Sequence, residues 1–280
     1  MKKVIYLFSC IVLFSCNNKP LDLNVMTFNV RYDNPGDSLN SWSYRKDVAA
    51  DVIKINDVDL LGTQEVLANQ MHDLKQSLPA YQTIGVGRAD GKTEGEFSAI
   101  FYKKDRFTEE KSGWFWLSET PEIAGSKGWD GACERVATWA ILKEKETGKR
   151  VFFINTHLDH VGEIARKKGV ELLLERAKAE GKGLPIIITG DFNATPESEV
   201  IAHIVENGEF HDSRLIAQEV KATFGTFHAF GRIPMEDRQI IDHIFVSKPI
   251  SVLSYEVLPD DLNGVLVSDH NPVLAKVTVK

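Results

Sequence analysis

Carboxylates, amides and imidazoles follow several short apolar segments of this sequence, at the points where those segments end. These polar residues are Asn29, Glu65, His157, Asp159, His160, Asp191, Asn193, Asp242, His243, Asp269 and His270. Side chains two residues apart on extended backbone point the same way, so Asp191 and Asn193 can face one centre, as can His157 and Asp159. Because active sites in α/β proteins gather at the carboxyl ends of strands, the pattern predicts one polar site.

Each of these residues taken alone is typical of a turn or a cap, so the chemical interpretation depends on their repetition. Asp242 differs from the others because it stands inside the apolar run of residues 241–245. A buried carboxylate in that position needs a partner, and histidine or a metal ion is the natural one.

The set is rich in oxygen ligands and contains no usable thiolate, which favours Mg²⁺ or Mn²⁺, with Ca²⁺ as a further option. One or two such ions beside histidines suit hydrolysis of a phosphate ester, because the cation neutralises charge that builds on the phosphoryl oxygens. The sequence has no GxSxG, Walker or GxGxxG motif, so serine-triad acyl transfer and nucleotide switching lack support.

The elements that position these residues alternate between strands and amphipathic helices. Helices are predicted over residues 43–56, with Ser41 or Ser43 as the cap, over 67–78 and over 163–179. Strands are predicted over residues 23–30, 58–62, 81–87, 97–102, 114–117, 138–142, 151–156, 184–189, 240–246, 251–257 and 272–279. This order favours one α/β domain with two mixed sheets packed face to face and helices outside.

The first residues are typical of an export signal. Lys2 and Lys3 precede an apolar run over residues 4–14, which is too short to span a bilayer. Leu13-Phe14-Ser15-Cys16 resembles a bacterial lipobox. We therefore expect a signal peptide over residues 1–15, lipidation of Cys16, a tether over 16–22 and the domain over 23–280. The expected location is exported and membrane-anchored by lipid, facing the periplasm or the cell surface.

Composition limits the possible partners. The chain has 280 residues, with 40 acidic and 33 basic side chains and a formal charge of −7. Strong bulk affinity for nucleic acid is not expected, because binding a phosphate backbone needs clustered Lys and Arg. We expect a monomer that acts on a nucleotide, short nucleic acid, sugar phosphate or lipid headgroup. Cys133 has no basic neighbour in sequence and is predicted to be a small buried apolar residue.

Motifs in a fixed order along most of the chain resemble the endonuclease/exonuclease/phosphatase (DNase I-like) superfamily. They are Thr27-Phe28-Asn29-Val30-Arg31, Gln64-Glu65, Thr156-His157-Leu158-Asp159, Gly190-Asp191-Phe192-Asn193 and Ser268-Asp269-His270. Residues 95–102 and 116–121 are similar to the nocturnin/deadenylase-like branch. The resemblance implies a four-layer α/β sandwich and a metal-dependent phosphoesterase.

The resemblance also implies a metal site. Glu65 would hold the main ion together with Asn29 and Asp269. Asp191 and Asn193 would serve a possible second ion.

Catalytic roles follow from the same resemblance. Asp191 would orient or deprotonate the attacking water, and Asn193 would hold that water or the phosphate. His157 would donate to a non-bridging oxygen, and His270 would do likewise or act as general base. Asp242 would fix the tautomer of His270.

Three further residues receive lesser roles. Asp159 would only orient His157, and His160 and His243 would be structural.

The substrate is less closely defined. Arg88 and Arg135 are candidates for gripping a second phosphate, and Trp114, Trp116 and Trp129 either stack on a base or fill the core. A phosphodiesterase or nuclease is the first hypothesis. A phosphomonoesterase acting on sugar or inositol phosphates is the second, and an inactive binding lipoprotein is the third.

Overall fold

The computed structural model describes residues 19–206, 208–222 and 224–280. The predicted signal peptide over residues 1–15 and Cys16 lie outside the described residues. Within the described part, no helix combines the length and apolar character needed to cross a membrane. Leu21 already pairs with Val279 in the first strand and is 2% exposed. The tether predicted to reach residue 22 is therefore too long, and the fold begins at Leu21.

The described residues form five α-helices, three of them close to the predicted positions. The helices are α1 (Trp42–Ile55), α2 (Ala68–Ser77), α3 (Glu163–Gly181), α4 (Glu199–Val205) and α5 (Ser213–Ile216). Ser41 occupies the N-cap position of α1, as one of the two predicted alternatives requires. Two short 3₁₀ helices, Pro35–Asn40 and Met235–Asp237, lie in loops.

Most strands coincide with the apolar segments of the sequence. The strands are β1 (Leu21–Asn29), β2 (Leu60–Gln64), β3 (Tyr81–Ile84), β4 (Ile100–Lys103), β5 (Phe107–Trp116), β6 (Val136–Glu144), β7 (Arg150–His157), β8 (Ile186–Asp191), β9 (Phe210–Asp212), β10 (Glu219–Ala222), β11 (Asp242–Ser247), β12 (Ile250–Val257), β13 (Asp261–Leu262), β14 (Val265–Leu266) and β15 (Val273–Val279).

Two mixed sheets contain nearly all of these strands. A seven-stranded sheet has the order β10-β12-β15-β1-β2-β4-β3, and a six-stranded sheet has the order β5-β6-β7-β8-β11-β9. In the first sheet β1 pairs parallel with β2 and antiparallel with β15. In the second sheet β8 pairs parallel with β7 and antiparallel with β11.

The sheets pack face to face, and helices cover their outer faces. Alternate residues of β1 such as Leu23 and Val25 enter the core between the sheets. The intervening residues, such as Phe28, pack against α1 and α2 in a second cluster. A third cluster joins α3 and α4 to the six-stranded sheet. The predicted α/β sandwich of two mixed sheets with helices outside is confirmed.

A polar connection crosses the otherwise apolar layer between the sheets. The Asn155 amide nitrogen donates to the carbonyls of Thr63 (2.8 Å) and Ala99 (3.0 Å), and its oxygen accepts from Gln64 (2.7 Å). Gly62 faces this amide, and a Cβ at Gly62 would collide with Asn155. Glycine is therefore needed at this position between the sheets.

Candidate active site

Parallel pairing within each sheet brings four predicted site residues to one edge of the sandwich. Asn29 is the last residue of β1, and Glu65 directly follows the parallel neighbour β2. His157 and Asp191 are the last residues of β7 and β8, which also run parallel and place these two residues in register. Because both pairs end at the same edge, side chains that are distant in sequence meet there.

Antiparallel neighbours bring the remaining predicted residues to the same edge. Asp242 begins β11 and lies in register with Asp191. Asp269 and His270 precede β15, which runs antiparallel to β1. A residue that starts an antiparallel strand therefore joins residues that end its neighbours.

These residues surround a cavity of about 620 Å³. The predicted residues that line it are Glu65, Arg88, Arg135, His157, Asp191, Asn193, Asp269 and His270. Asn29 and Asp242 are 0% and 1% exposed and lie behind the cavity wall. The cavity therefore collects side chains from both sheets around one space.

His270 is held by a buried carboxylate. Its Nδ1 lies 2.8 Å from Asp242 Oδ2, and its Nε2 lies 3.8 Å from Asp191 Oδ2. Burial by itself would lower the pKa of His270, but the negative charges of Asp242 and Asp191 raise it to about 10. The imidazole is therefore a cation at neutral pH, with Nε2 turned towards the cavity carboxylates.

His157 has a different environment. Its Nε2 lies 3.2 Å from the Asn193 amide nitrogen and 3.5 Å from Asp191 Oδ2, and its Nδ1 lies 3.8 Å from Glu96 Oε2. Burial, together with the positive charge of Arg135, lowers the pKa of His157 well below its usual value. This imidazole is neutral at pH 7, so the two histidines of the site are in opposite protonation states.

Asp159 does not orient His157, and that prediction is wrong. Its carboxylate instead accepts four backbone N–H groups, from Ala132 (3.0 Å), Cys133 (3.1 Å), Val161 (2.9 Å) and Gly162 (2.7 Å). Asp159 therefore joins two loops at the rim of the cavity, and Glu96 is the carboxylate that faces His157.

Two carboxylates and a histidine from different elements converge in the cavity. Single ligand atoms of Glu65, Asp191 and His270 lie within 4.8 Å of one another. The Asn29 amide nitrogen donates to both Glu65 Oε1 (3.0 Å) and Asp191 Oδ2 (3.0 Å). Burial and the repulsion of Asp242 raise the pKa of Asp191 to about 7. Crowded, buried oxygen ligands of this kind fit a hard divalent cation.

Arg31, to which the sequence assigns no role, links Asp269 to Glu65. The Arg31 guanidinium lies 3.8 Å from Glu65 Oε2 and 3.8 Å from Asp269 Oδ2, and Asp37 accepts from its Nε at 3.0 Å. Burial raises the pKa of Asp269, and the charge of Glu65 adds to this effect. Glu65 and Asp269 therefore lie on the same side of the cavity.

The two predicted arginines differ in how they are paired. Arg88 donates to Glu96 Oε2 at 2.6 Å. Arg135 is 5% exposed, and its Nη2 lies 3.0 Å from His160 Nδ1. Its Nε lies 3.6 Å from Asp159 Oδ2, an ion pair without a hydrogen bond, and its Nη1 has no hydrogen-bond partner among the residues that the structure describes. A buried guanidinium with free donors in a cavity wall suits an anionic or hydroxylated ligand.

One prediction for the rim of the cavity is wrong. Cys133 is half-exposed and lines the cavity, so it is not a buried apolar residue. His160 is exposed and also lines the cavity, where its Nδ1 contacts Arg135, and its structural role stays a prediction. His243 is 2% exposed and lies 3.0 Å from the carbonyl of Ala194, as a structural residue would.

The predicted tryptophans are not among the described residues that line the cavity. Trp116 is buried and Trp114 is 42% exposed on the same strand. The cavity aromatics are Tyr32 and Phe227, and the Phe227 ring centroid lies 4.9 Å from that of His270. Phe227 lies in a loop without strand periodicity, so no pattern in the sequence distinguishes it.

A sandwich of two mixed sheets with carboxylates and histidines gathered where strands of both sheets end defines the DNase I-like class of α/β proteins. The chain belongs to the Endonuclease/Exonuclease/phosphatase family, whose profile matches residues 26–270. Members of this family are phosphoester hydrolases, and they typically use divalent metal ions.

Solved structures agree with this family. An endonuclease/exonuclease/phosphatase from Bacteroides vulgatus is 46% identical, with a TM-score of 0.90, covering 93% of this chain and 100% of that chain. A mannosyl-6-phosphatase from Bacteroides thetaiotaomicron is 40% identical, with a TM-score of 0.85, covering 91% of this chain and 99% of that chain. The human nocturnin catalytic domain shares the fold: it is 22% identical, with a TM-score of 0.71, covering 91% of this chain and 94% of that chain. No match was found among curated proteins.

Proposed function

We propose that this chain is a divalent-metal-dependent phosphomonoesterase that hydrolyses a sugar phosphate. The observation that carries the hydrolase assignment is the convergence of Glu65, Asp191 and His270 within 4.8 Å in one cavity. The mannosyl-6-phosphatase that is 40% identical over 91% of this chain supports a monoester of a sugar as the substrate.

Glu65, Asp191 and Asp269 are the residues that would hold the cation, with Asn29 bracing the first two. A bound divalent cation would neutralise charge on the phosphoryl oxygens. The Asn193 amide nitrogen is used by the carbonyl of Leu158 (3.1 Å) and faces His157.

The remaining residues orient and stabilise the reacting groups. Asp191 lies between both histidines and would accept a hydrogen bond from the attacking water. His270, cationic and fixed by Asp242, would donate to a phosphoryl oxygen. The Asn193 amide nitrogen lies 3.2 Å from His157 Nε2, and Asn193 would hold either the water or the phosphate.

The far side of the cavity would bind the rest of the substrate. Arg135 Nη1, which has no hydrogen-bond partner among the described residues, would donate to hydroxyl or phosphate oxygens, and Phe227 offers a half-buried ring against which a sugar can pack. The first hypothesis from the sequence, a phosphodiesterase or nuclease, has less support. The formal charge of −7 disfavours a long nucleic acid, and no described tryptophan lines the cavity.

A substrate panel with the soluble chain, residues 17–280, tests this proposal. Mannose 6-phosphate, other sugar phosphates, inositol phosphates and bis-p-nitrophenyl phosphate are compared by release of inorganic phosphate or nitrophenol. We expect monoesters of sugars to be preferred and activity to disappear with EDTA and return with Mg²⁺ or Mn²⁺. Faster diester cleavage would support the nuclease hypothesis, and no metal-dependent turnover on any substrate would support the inactive binding protein.

Asp191→Asn separates catalysis from folding in the same assay. We expect activity to fall by a factor of about 10³ or more while the melting temperature is retained, because the substitution removes a catalytic carboxylate and relieves repulsion by Asp242. Asp105→Asn, in the exposed turn between β4 and β5, is the matched control. Full turnover by Asp191→Asn would contradict the assignment.

The location is proposed from the sequence. We infer that the enzyme is exported and held at a membrane through lipid on Cys16, because residues 1–16 have the form of a lipoprotein signal. Incorporation of labelled palmitate into the wild type, and its loss in Cys16→Ser, is the expected result. The nocturnin/deadenylase-like branch also stays a prediction, to be tested by including polyadenylate in the panel.

A further inference from the structure

Arg45 is a fully buried charge that lies outside the cavity, on the inner face of α1. Its side chain is 0% exposed. Nη1 donates to the carbonyls of Val30 and Val267, both at 2.9 Å, and Nη2 donates to the carbonyl of Arg31 at 3.3 Å. Nε donates to the carbonyl of Asn40. One guanidinium therefore satisfies four backbone carbonyls.

The carbonyls on one side belong to the segment that braces Glu65. The Arg31 N–H donates to Asn29 Oδ1 (2.9 Å), and the Tyr32 N–H donates to Glu65 Oε2 (3.1 Å). The carbonyl on the other side precedes Asp269 by two residues. Arg45 thus connects the segment that braces Glu65 with the segment that carries Asp269.

We propose that Arg45 is a positioning residue for the metal site, which it acts on by fixing the backbone of residues 29–32 against that of residues 267–270. The proposal rests on the metal dependence proposed above. Its mechanism is geometric: oxygen ligands must converge within a few tenths of an ångström, and outer partners that orient them control affinity.

The geometry requires arginine. A lysine ammonium on a flexible stem reaches one or two carbonyls, whereas the planar guanidinium spans both segments at once. The Arg45 guanidinium also lies 5.6 Å from the Trp42 ring and 5.4 Å from the Phe230 ring. These rings and α1 keep the guanidinium in place, so the two segments are fixed before any cation binds.

Isothermal titration with Mn²⁺ and no substrate tests the proposal, with the soluble chain as wild type, Arg45→Lys and Leu142→Ala. Leu142 is 0% exposed in the core between the sheets, at the end of β6 away from the cavity, and its replacement lowers stability without touching either segment. We expect Arg45→Lys to bind Mn²⁺ about 10- to 100-fold more weakly and Leu142→Ala to bind as the wild type does. Wild-type affinity in folded Arg45→Lys, or an equal loss in both variants, would overturn the proposal.

A second variant covers the case in which Arg45→Lys does not fold. Ser268 is 0% exposed, and its Oγ donates to the carbonyl of Asn29 at 2.7 Å, so it links the same two segments. Ser268→Ala should weaken Mn²⁺ binding in the same direction by a smaller factor, and unchanged binding would overturn the proposal. Wild-type Mn²⁺ binding without phosphatase activity would instead contradict the proposed function alone, so the two failures are distinguishable.

Discussion

Replacing Asp159 with asparagine removes a carboxylate that four backbone N–H groups share. Asparagine keeps one acceptor oxygen and turns an NH₂ group towards the other two donors. A hydrogen bond to a charged group contributes roughly 1.5–3 kcal/mol to stability. Losing two of the four should therefore lower the free energy of unfolding by about 3 kcal/mol. The joined loops carry Arg135 and His160, so KM for the substrate should rise more than kcat falls.

The same substitution has a defined pH dependence. The four donors hold the pKa of Asp159 well below its usual range, whereas in the unfolded chain it is about 3.9. The carboxylate therefore contributes stability that is fully present above pH ~4 and is lost as pH falls towards the folded pKa. The difference in the free energy of unfolding between wild type and Asp159→Asn should be about 1 kcal/mol smaller at pH 3 than at pH 7.

Urea unfolding at both pH values, followed by tryptophan fluorescence, measures this difference in the free energy of unfolding. Asp105→Asn is the control, because its carboxylate is exposed in a turn. A stability gap below 1 kcal/mol at pH 7, or a gap that stays constant down to pH 3, would refute the reasoning about Asp159.

Three other perturbations have defined outcomes. Gly62→Ala should destabilise the fold by about 3 kcal/mol, because the added methyl group collides with Asn155 between the sheets; thermal unfolding measures this loss, and a change below 0.5 kcal/mol would contradict it. Phe227→Ala should raise KM about tenfold for a sugar phosphate and leave Mn²⁺ affinity unchanged, whereas an unchanged KM would place the sugar elsewhere. Adding Mn²⁺ at 100 times its Kd should stabilise the protein by about 2.7 kcal/mol, and Glu65→Gln should abolish that shift.

The sequence predicts the central strands well because they are buried on both faces. Residues 184–189 form a continuous apolar run, and the structure places β8 two residues later, at Ile186–Asp191, with every residue buried. The strand β5 is longer than the predicted segment 114–117, since it starts at Phe107 and its first half is mostly exposed. An exposed edge strand has no apolar alternation to reveal it. The region of β9, α5 and β10 escaped prediction because these elements have only three or four residues each.

The sequence predicts those site residues that lie at the end or the beginning of a strand. Asp191 and His157 occupy the ends of adjacent parallel strands, and strand patterns are visible in sequence. The partners of these residues could not be predicted, because they depend on how loops return to the cavity. Glu96 takes the place expected for Asp159 beside His157, and Arg45 acts from a helix whose pattern indicates only an apolar face.

With the lipid anchor proposed above, the direction of β1 would affect which substrates the protein can reach. The strand begins at Leu21 and places Asn29 at the cavity eight residues later, a span of about 27 Å at the rise of an extended strand. With lipid on Cys16, the polypeptide would leave the bilayer on one side of the molecule and present the cavity mouth on the other. The enzyme would then draw on solutes diffusing in from outside, and phospholipids of the leaflet that holds it would stay out of reach.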